Sequence, residues 1–439
     1  MFVHICSEEY PSDNPLNLIM ENHGSKYKVK FKDFDLINLI DSTTFKYHNF
    51  YIHLVKSYES KGQPFPDYLV YESKSECKPL STDIPHSVYE VTKNIDKESG
   101  NMCYQRLEKF VYLRYIFGEL SENIKLNMIY DTLFESDNKS ITLNISNRMC
   151  ATLGITSILF YRGKKNIFNE DKYKTIEELC SHINSTKGCG AVQNNRCYYR
   201  DGSMFISSNL RHSKKNENSS IHDPNTGFVC ALIATAKKID PNIIITLEKH
   251  NIPEKKINSK AKLWTCLYYW KNTIKIENYE DKKWDLKQHK EYIRYNNLGE
   301  KISSILLQYC IEKNNLGTII FHNHAGCERS YLEYNGIIKK GLKKNLPDLI
   351  VKIGNIIFCI EAEQNENKNI IKGIKQLEDF SDFISDMKKK LELNENIIFK
   401  KFVITAGGIK HSENPKVLFS ILKNGDICNK CEFLKLPII

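Results

Sequence analysis

At 439 residues, with 41% hydrophobic and 26% charged side chains, the chain has material for two or three buried cores and is too apolar to stay unfolded. Its 63 Lys+Arg against 53 Asp+Glu leave a net charge of +10, which favours an anionic partner. The 14 cysteines lack the spacing of a disulfide scaffold, no apolar run is long enough to cross a bilayer, and MFVHICSEEY turns acidic too early for a secretory leader, so a reducing cytoplasm is expected.

In chain order, VKFKDFDLINLI reads as a strand and FYIHLVKSYES as a helix. From Pro64 the pattern sharpens. PFPDYLVYES and HSVYEVTKN are strand candidates divided by a polar, Pro-containing stretch. A helix is then expected from Asn101, with Cys103, Leu107, Phe110, Leu113 and Phe117 on one face and Gln105, Arg106 and Lys109 off it. NIKLNMIYD follows as a strand.

From about Thr132 to Glu300 no acid spacing suggests catalysis, and this stretch is the candidate substrate-reading region. Asn194 to Asn225 is polar and turn-rich, reads as a loop, and carries Arg196, Arg200, Arg211, Lys214 and Lys215 for phosphates or base edges. GFVCALIATAKKI and NIIITLEKH read as a helix and a strand. Trp264, Tyr268, Tyr269 and Trp270 fit core packing better than base stacking. Cys180, His182, Cys189 and Cys197 are irregularly spaced, and Cys428-x-x-Cys431 lacks a second pair; free thiols are expected in both places.

The strand GTIIF precedes His322-Asn323-His324, three neighbours too close together to be ranked as metal ligands. Two β-branched runs, Leu349 to Val351 and Ile356 to Ile360, flank Gly354-Asn355 and predict a hairpin. Asp348 opens its first strand. Glu361 and Glu363 close the second, and their i,i+2 spacing sends both carboxylates to one face. Ile370, Ile374, Leu377, Phe380, Ile384 and Met387 predict a helix, and IIFKKFVIT a further strand. Three acids gathered at a hairpin end repel one another unless a cation joins them, and a hard divalent ion such as Mg2+ prefers oxygen ligands.

This order, with Pro347-Asp348 on one strand and Glu361-Ala362-Glu363 on the next, resembles the PD-(D/E)XK nuclease superfamily and, within it, type II restriction endonucleases. The resemblance implies an α/β, mixed α+β fold with a central mixed sheet flanked by helices at the C-terminus. It also implies Mg2+-dependent double-strand DNA cleavage, Asp348, Glu361 and Glu363 as catalytic and metal-binding residues, and a separate cognate methyltransferase. Glu363 stands where the family carries Lys, which leaves it as a ligand or as the general base. Lys352, Lys372 or Lys375 then replaces the missing charge, and Lys375 is also a DNA-contact candidate.

A second core is suggested by Pro66-Asp67, Glu90 and Lys93, although Glu90 and Lys93 are three apart and point to opposite faces of a regular strand. Either a bulge assembles a second catalytic centre or these charges end a structural strand. The expected organisation is residues 1–131 as an N-terminal nuclease-like or structural domain, 132–300 for DNA recognition and 301–439 for catalysis, acting as a monomer or homodimer. The alternatives are a nucleic-acid-binding protein whose nuclease fold has lost its chemistry, and a repair or viral nuclease.

Overall fold

A computed structural model describes residues 1–55, 65–92, 100–132, 141–161, 164–185, 195–210, 223–251, 270, 272–278, 292–295, 299–323, 331–340, 346–407 and 416–430. The chain is mixed α/β and forms two compact units that do not follow the three consecutive segments expected from sequence. Unit 1 joins residues 1–56 and 73–78 to 295–439, and unit 2 takes 57–72 and 79–294. Burial explains the return of the first segment, because Phe31 and Phe45, in contact with each other, both also pack on Tyr309, far along the chain.

Unit 1 opens with β1 (Phe2–Ser7), α1 (Asp13–Asn22), β2 (Asp35–Asn38), β3 (Thr44–Tyr47) and β4 (Phe50–Leu54), in the order β2-β3-β4-β1. FYIHLVKSYES therefore starts as a strand and not as the expected helix. Phe50 to Leu54 are all buried between antiparallel β3 and parallel β1, and a strand buried on both faces loses the alternation that would identify it. In VKFKDFDLINLI only β2 is extended, after a 3-10 turn at Phe31–Asp33.

Unit 2 holds β5 (Tyr68–Ser73), β6 (Ser87–Thr92), α2 (Gly100–Phe117), β7 (Lys125–Thr132), α3 (Ile141–Leu153), β8 (Ile155–Tyr161) and β9 (Lys164–Ile167). There follow α4 (Ile176–Ser185), β10 (Arg196–Arg200), β11 (Ser203–Ser207), α5 (Asp223–Ile239), β12 (Ile244–Lys249) and β13 (Ile274–Ile276). The first five strands are neighbours in chain order, and β10 to β13 form a separate sheet. The expected loop at Asn194 to Asn225 thus contains a hairpin. Asp201 and Gly202 turn it with φ of 52° and 74°, the left-handed pair that suits a two-residue connection.

The chain completes unit 1 with α6 (Glu300–Lys313), β14 (Thr318–His322), β15 (Tyr331–Tyr334), β16 (Ile337–Lys340), β17 (Leu349–Ile353) and β18 (Ile356–Gln364). Then come α7 (Asn367–Asp379), α8 (Ile384–Lys390), β19 (Ile398–Ala406), β20 (Val417–Ile421) and β21 (Ile427–Asn429). The sheet order is β14-β17-β18-β19-β20-β21, and α6 and α7 both pack on β18 and β19. The predicted long helix is broken by a 3-10 turn at Phe380–Phe383, which lets Phe380 and Met387 reach the same core as Leu377, Ile357 and Cys359.

Candidate metal centre

The hairpin register decides which acids meet. Leu349 pairs with Ile360, so Asp348, one residue earlier, lies opposite Glu361 at the end of the ladder. Two hydrogen bonds cross it, one to Glu361 and one from its neighbour Ala362. The Ala362 N–H donates to Asp348 Oδ2 at 3.0 Å, and the Asp348 backbone N–H donates to the Glu361 carboxylate. Glu361 and Glu363 continue the face of β18 that carries Ile357 and Cys359 into the core, so both are pulled under α7, leaving them 6% and 2% exposed.

Helix α7 completes the surroundings from Lys372 and Gln376, one turn apart. Lys372 Nζ lies 3.0 Å from Glu363 Oε1, and Gln376 Nε2 donates to Glu361 Oε1 at 3.0 Å. Gly373, between them, is what allows this approach. A Cβ there would lie 2.9 Å from Glu363 Cγ and 3.4 Å from Glu361 Cγ.

Burial pushes the Asp348 carboxyl up to about 7, and Glu300 and Glu363 add to it against the Ala362 hydrogen bond. Burial likewise pushes Glu361 up to about 9, with the charges of Asp348 and Glu363 adding to the effect. Lys372 is held above its usual range, first by its bond to Glu363. The group therefore has two buried carboxyls and a half-buried one, one contacting ammonium and a surplus of negative charge that protons must offset. An all-oxygen donor set of that kind fits a hard divalent cation.

Of the three lysines named from the sequence, Lys372 is the one in contact. Lys375 is exposed, and the Lys352 ammonium lies over the Tyr334 ring at 5.6 Å. Glu300, Gln376 and Gly373 were missed. Glu300 lies 48 positions before Asp348 with no local signal; Gln376 and Gly373 show in the sequence only once α7 is known to cover β18.

Asp67 and Glu90 also meet, by the same register, since Tyr68 pairs with Tyr89. Glu90 is fully buried, and its charge partners come from α2: Arg106 Nη1 at 2.6 Å and Lys109 Nζ at 2.7 Å, both to Oε1. Burial raises the Glu90 carboxyl to about 7, with Asp67 adding and the two cations opposing. Periodicity places Arg106 and Lys109 off the apolar face of the helix, and the structure turns those two side chains to Glu90. Lys93 lies outside the described residues.

Arg196 and Arg200 lie on β10, where Arg196 donates to the Asn195 carbonyl and exposed Arg200 pairs with Asp201. Arg211, Lys214, Lys215, Trp264, Tyr268, Tyr269, Cys189, His324 and Cys431 fall outside the described residues. Trp270 is buried, as expected of core packing. Cys180 and Cys197 are buried free thiols in mutual contact, and His182 bonds Tyr173 instead. Among the described residues, no helix is long and apolar enough to cross a membrane.

Comparison of the chain with family models, curated proteins and solved structures finds no match.

Proposed function

We propose that the protein is a magnesium-dependent DNA endonuclease of the PD-(D/E)XK type, acting as a type II restriction enzyme. The observation that carries this reading is the trio Asp348, Glu361 and Glu363 on adjoining strands, the aspartate half-buried and both glutamates buried, with more negative charge than Lys372 offsets. Asp348 and Glu361 are the residues that would hold Mg2+. When bound, that ion supplies charge stabilisation at the scissile phosphate and a lower pKa for the attacking water. Glu363 accepts the proton released by that water. Lys372 positions Glu363 and offsets charge that builds on the phosphate, in place of the lysine missing after Ala362. The surplus of basic residues supplies salt-sensitive affinity for double-stranded DNA. A cytoplasmic location and a separate methyltransferase protecting host DNA belong to the same reading.

The test is cleavage of mixed-sequence DNA with Mg2+ and mapping of the ends. Asp348→Ala and Glu361→Ala are each expected to abolish cleavage while DNA binding, measured across a salt series, stays within a few-fold. Full cleavage by either variant refutes the assignment.

A further inference from the structure

The Asp67 pair repeats the construction of the Asp348 centre strand by strand. In unit 2, β5 and β6 are antiparallel, β6 to β7 and β7 to β8 are parallel, and β8 to β9 is antiparallel. In unit 1 the relations of β17 through β21 run in the same order. The second strand leads to the third through a helix in both cases, α2 in one and α7 in the other. The reciprocal hydrogen bonds recur as well. Val91 N–H donates to Asp67 Oδ2 at 2.6 Å and Asp67 N–H donates to Glu90 Oε2 at 3.2 Å, matching the bonds between Asp348, Ala362 and Glu361. Strand order and local bonding are separate observations, and both match.

The filling of the two sites differs. Two residues beyond Glu90, where unit 1 has Glu363, unit 2 has the buried neutral Thr92. Where α7 brings a glycine, an amide and one lysine, α2 brings two cations. Lys109 Nζ lies 2.7 and 2.9 Å from the two oxygens of Glu90 and 3.9 Å from Asp67 Oδ1, between the acids, and Arg106 adds a second charge at 2.6 Å. Two carboxylates face two cations. Unit 1 has three carboxyls around one.

We propose that unit 2 carries a cation-locked copy of the centre, in which the Lys109 ammonium, backed by Arg106, fills the place between Asp67 and Glu90 that a divalent cation takes between Asp348 and Glu361. The half of this statement that concerns unit 1 rests on the function proposed above. A divalent ion entering unit 2 would have to expel a lysine whose side chain is 16% exposed from a carboxylate that is fully buried. It would also add charge to a balanced group. Among the described residues each chain then has a single hydrolytic centre, and breaking both strands of a duplex requires two chains or two successive engagements.

The probe is Mn2+, titrated into the full-length protein at pH 7.5 with the free ion followed by electron paramagnetic resonance. Asp348→Asn is expected to remove the tight Mn2+ binding, and Asp67→Asn to leave both amount and affinity within twofold of wild type. A tenfold weakening or lost binding in Asp67→Asn overturns the lock. The Arg106→Gln/Lys109→Gln variant is expected to bind additional Mn2+ that disappears again when Asp67→Asn is added. No additional binding in a variant whose circular dichroism matches wild type also overturns it, and if that variant does not fold, the Asp67→Asn titration decides. Mn2+ binding that ignores Asp348→Asn refutes the unit 1 assignment instead, and the gain in the Arg106→Gln/Lys109→Gln variant then still tests the lock.

Discussion

Replacing Glu361 by Gln in metal-free protein is expected to stabilise the fold, and by an amount that depends on pH. Burial holds the Glu361 carboxyl at about 9, so at pH 7.5 it is protonated when folded and ionised when unfolded. A carboxyl whose folded pKa lies above its unfolded one binds its proton more tightly in the native state. The native state therefore loses stability as pH rises from about 4.5 towards 9. At about 1.4 kcal/mol per unit, the three units between 4.5 and 7.5 set an upper bound of about 4 kcal/mol. The amide, an isostere of the protonated acid, removes that cost whether it comes from burial or from the charges of Asp348 and Glu363, so a gain of roughly 2–4 kcal/mol is expected. Gln376 Nε2 keeps an acceptor in the variant. At pH 5 the gain shrinks below about 1 kcal/mol. Urea unfolding with EDTA at both pH values measures the difference, and Mg2+ should then stabilise wild type but not the variant. A variant less stable than wild type at pH 7.5, or a gain equal at both pH values, refutes the electrostatic account.

Gly373→Ala is expected to weaken Mn2+ binding and lower cleavage about tenfold or more while circular dichroism is unchanged, because the added methyl meets the base, Glu363 Cγ, at 2.9 Å and the metal-holding Glu361 Cγ at 3.4 Å. Glu363→Gln should reduce the cleavage rate on the order of 100-fold or more with metal affinity held within a few-fold, the pattern of a lost base; a mild loss of rate would make Glu363 a ligand only. Phe380→Ala, which empties a fully buried position in the core beneath α7, should cost about 3–5 kcal/mol by denaturant unfolding. On supercoiled plasmid, Asp67→Asn is expected to linearise DNA as wild type does. Nicking confined to one strand by this variant would restore the reading of two working centres.

The sequence by itself determined the elements whose signals are local. The Gly354-Asn355 hairpin, the two acids spaced i,i+2 on β18 and the order strand, strand, helix, strand all follow from side-chain periodicity and turn chemistry, which need no distant partner. The same local rules failed for Phe50 to Leu54, where burial on both faces erased the alternation, and for the hairpin at Asp201-Gly202, hidden in a polar stretch. Tertiary structure alone decided which charges share a site. Lys372 rather than Lys352 or Lys375 meets Glu363, Glu300 adds its field from another helix, and Arg106 and Lys109 close over Glu90 from residues that periodicity had assigned away from the core. The physical reason is that a carboxylate's partner is set by the helix that covers its strand, and the rotation of a helix over a sheet is fixed by packing across distant segments, not by the sequence around either residue.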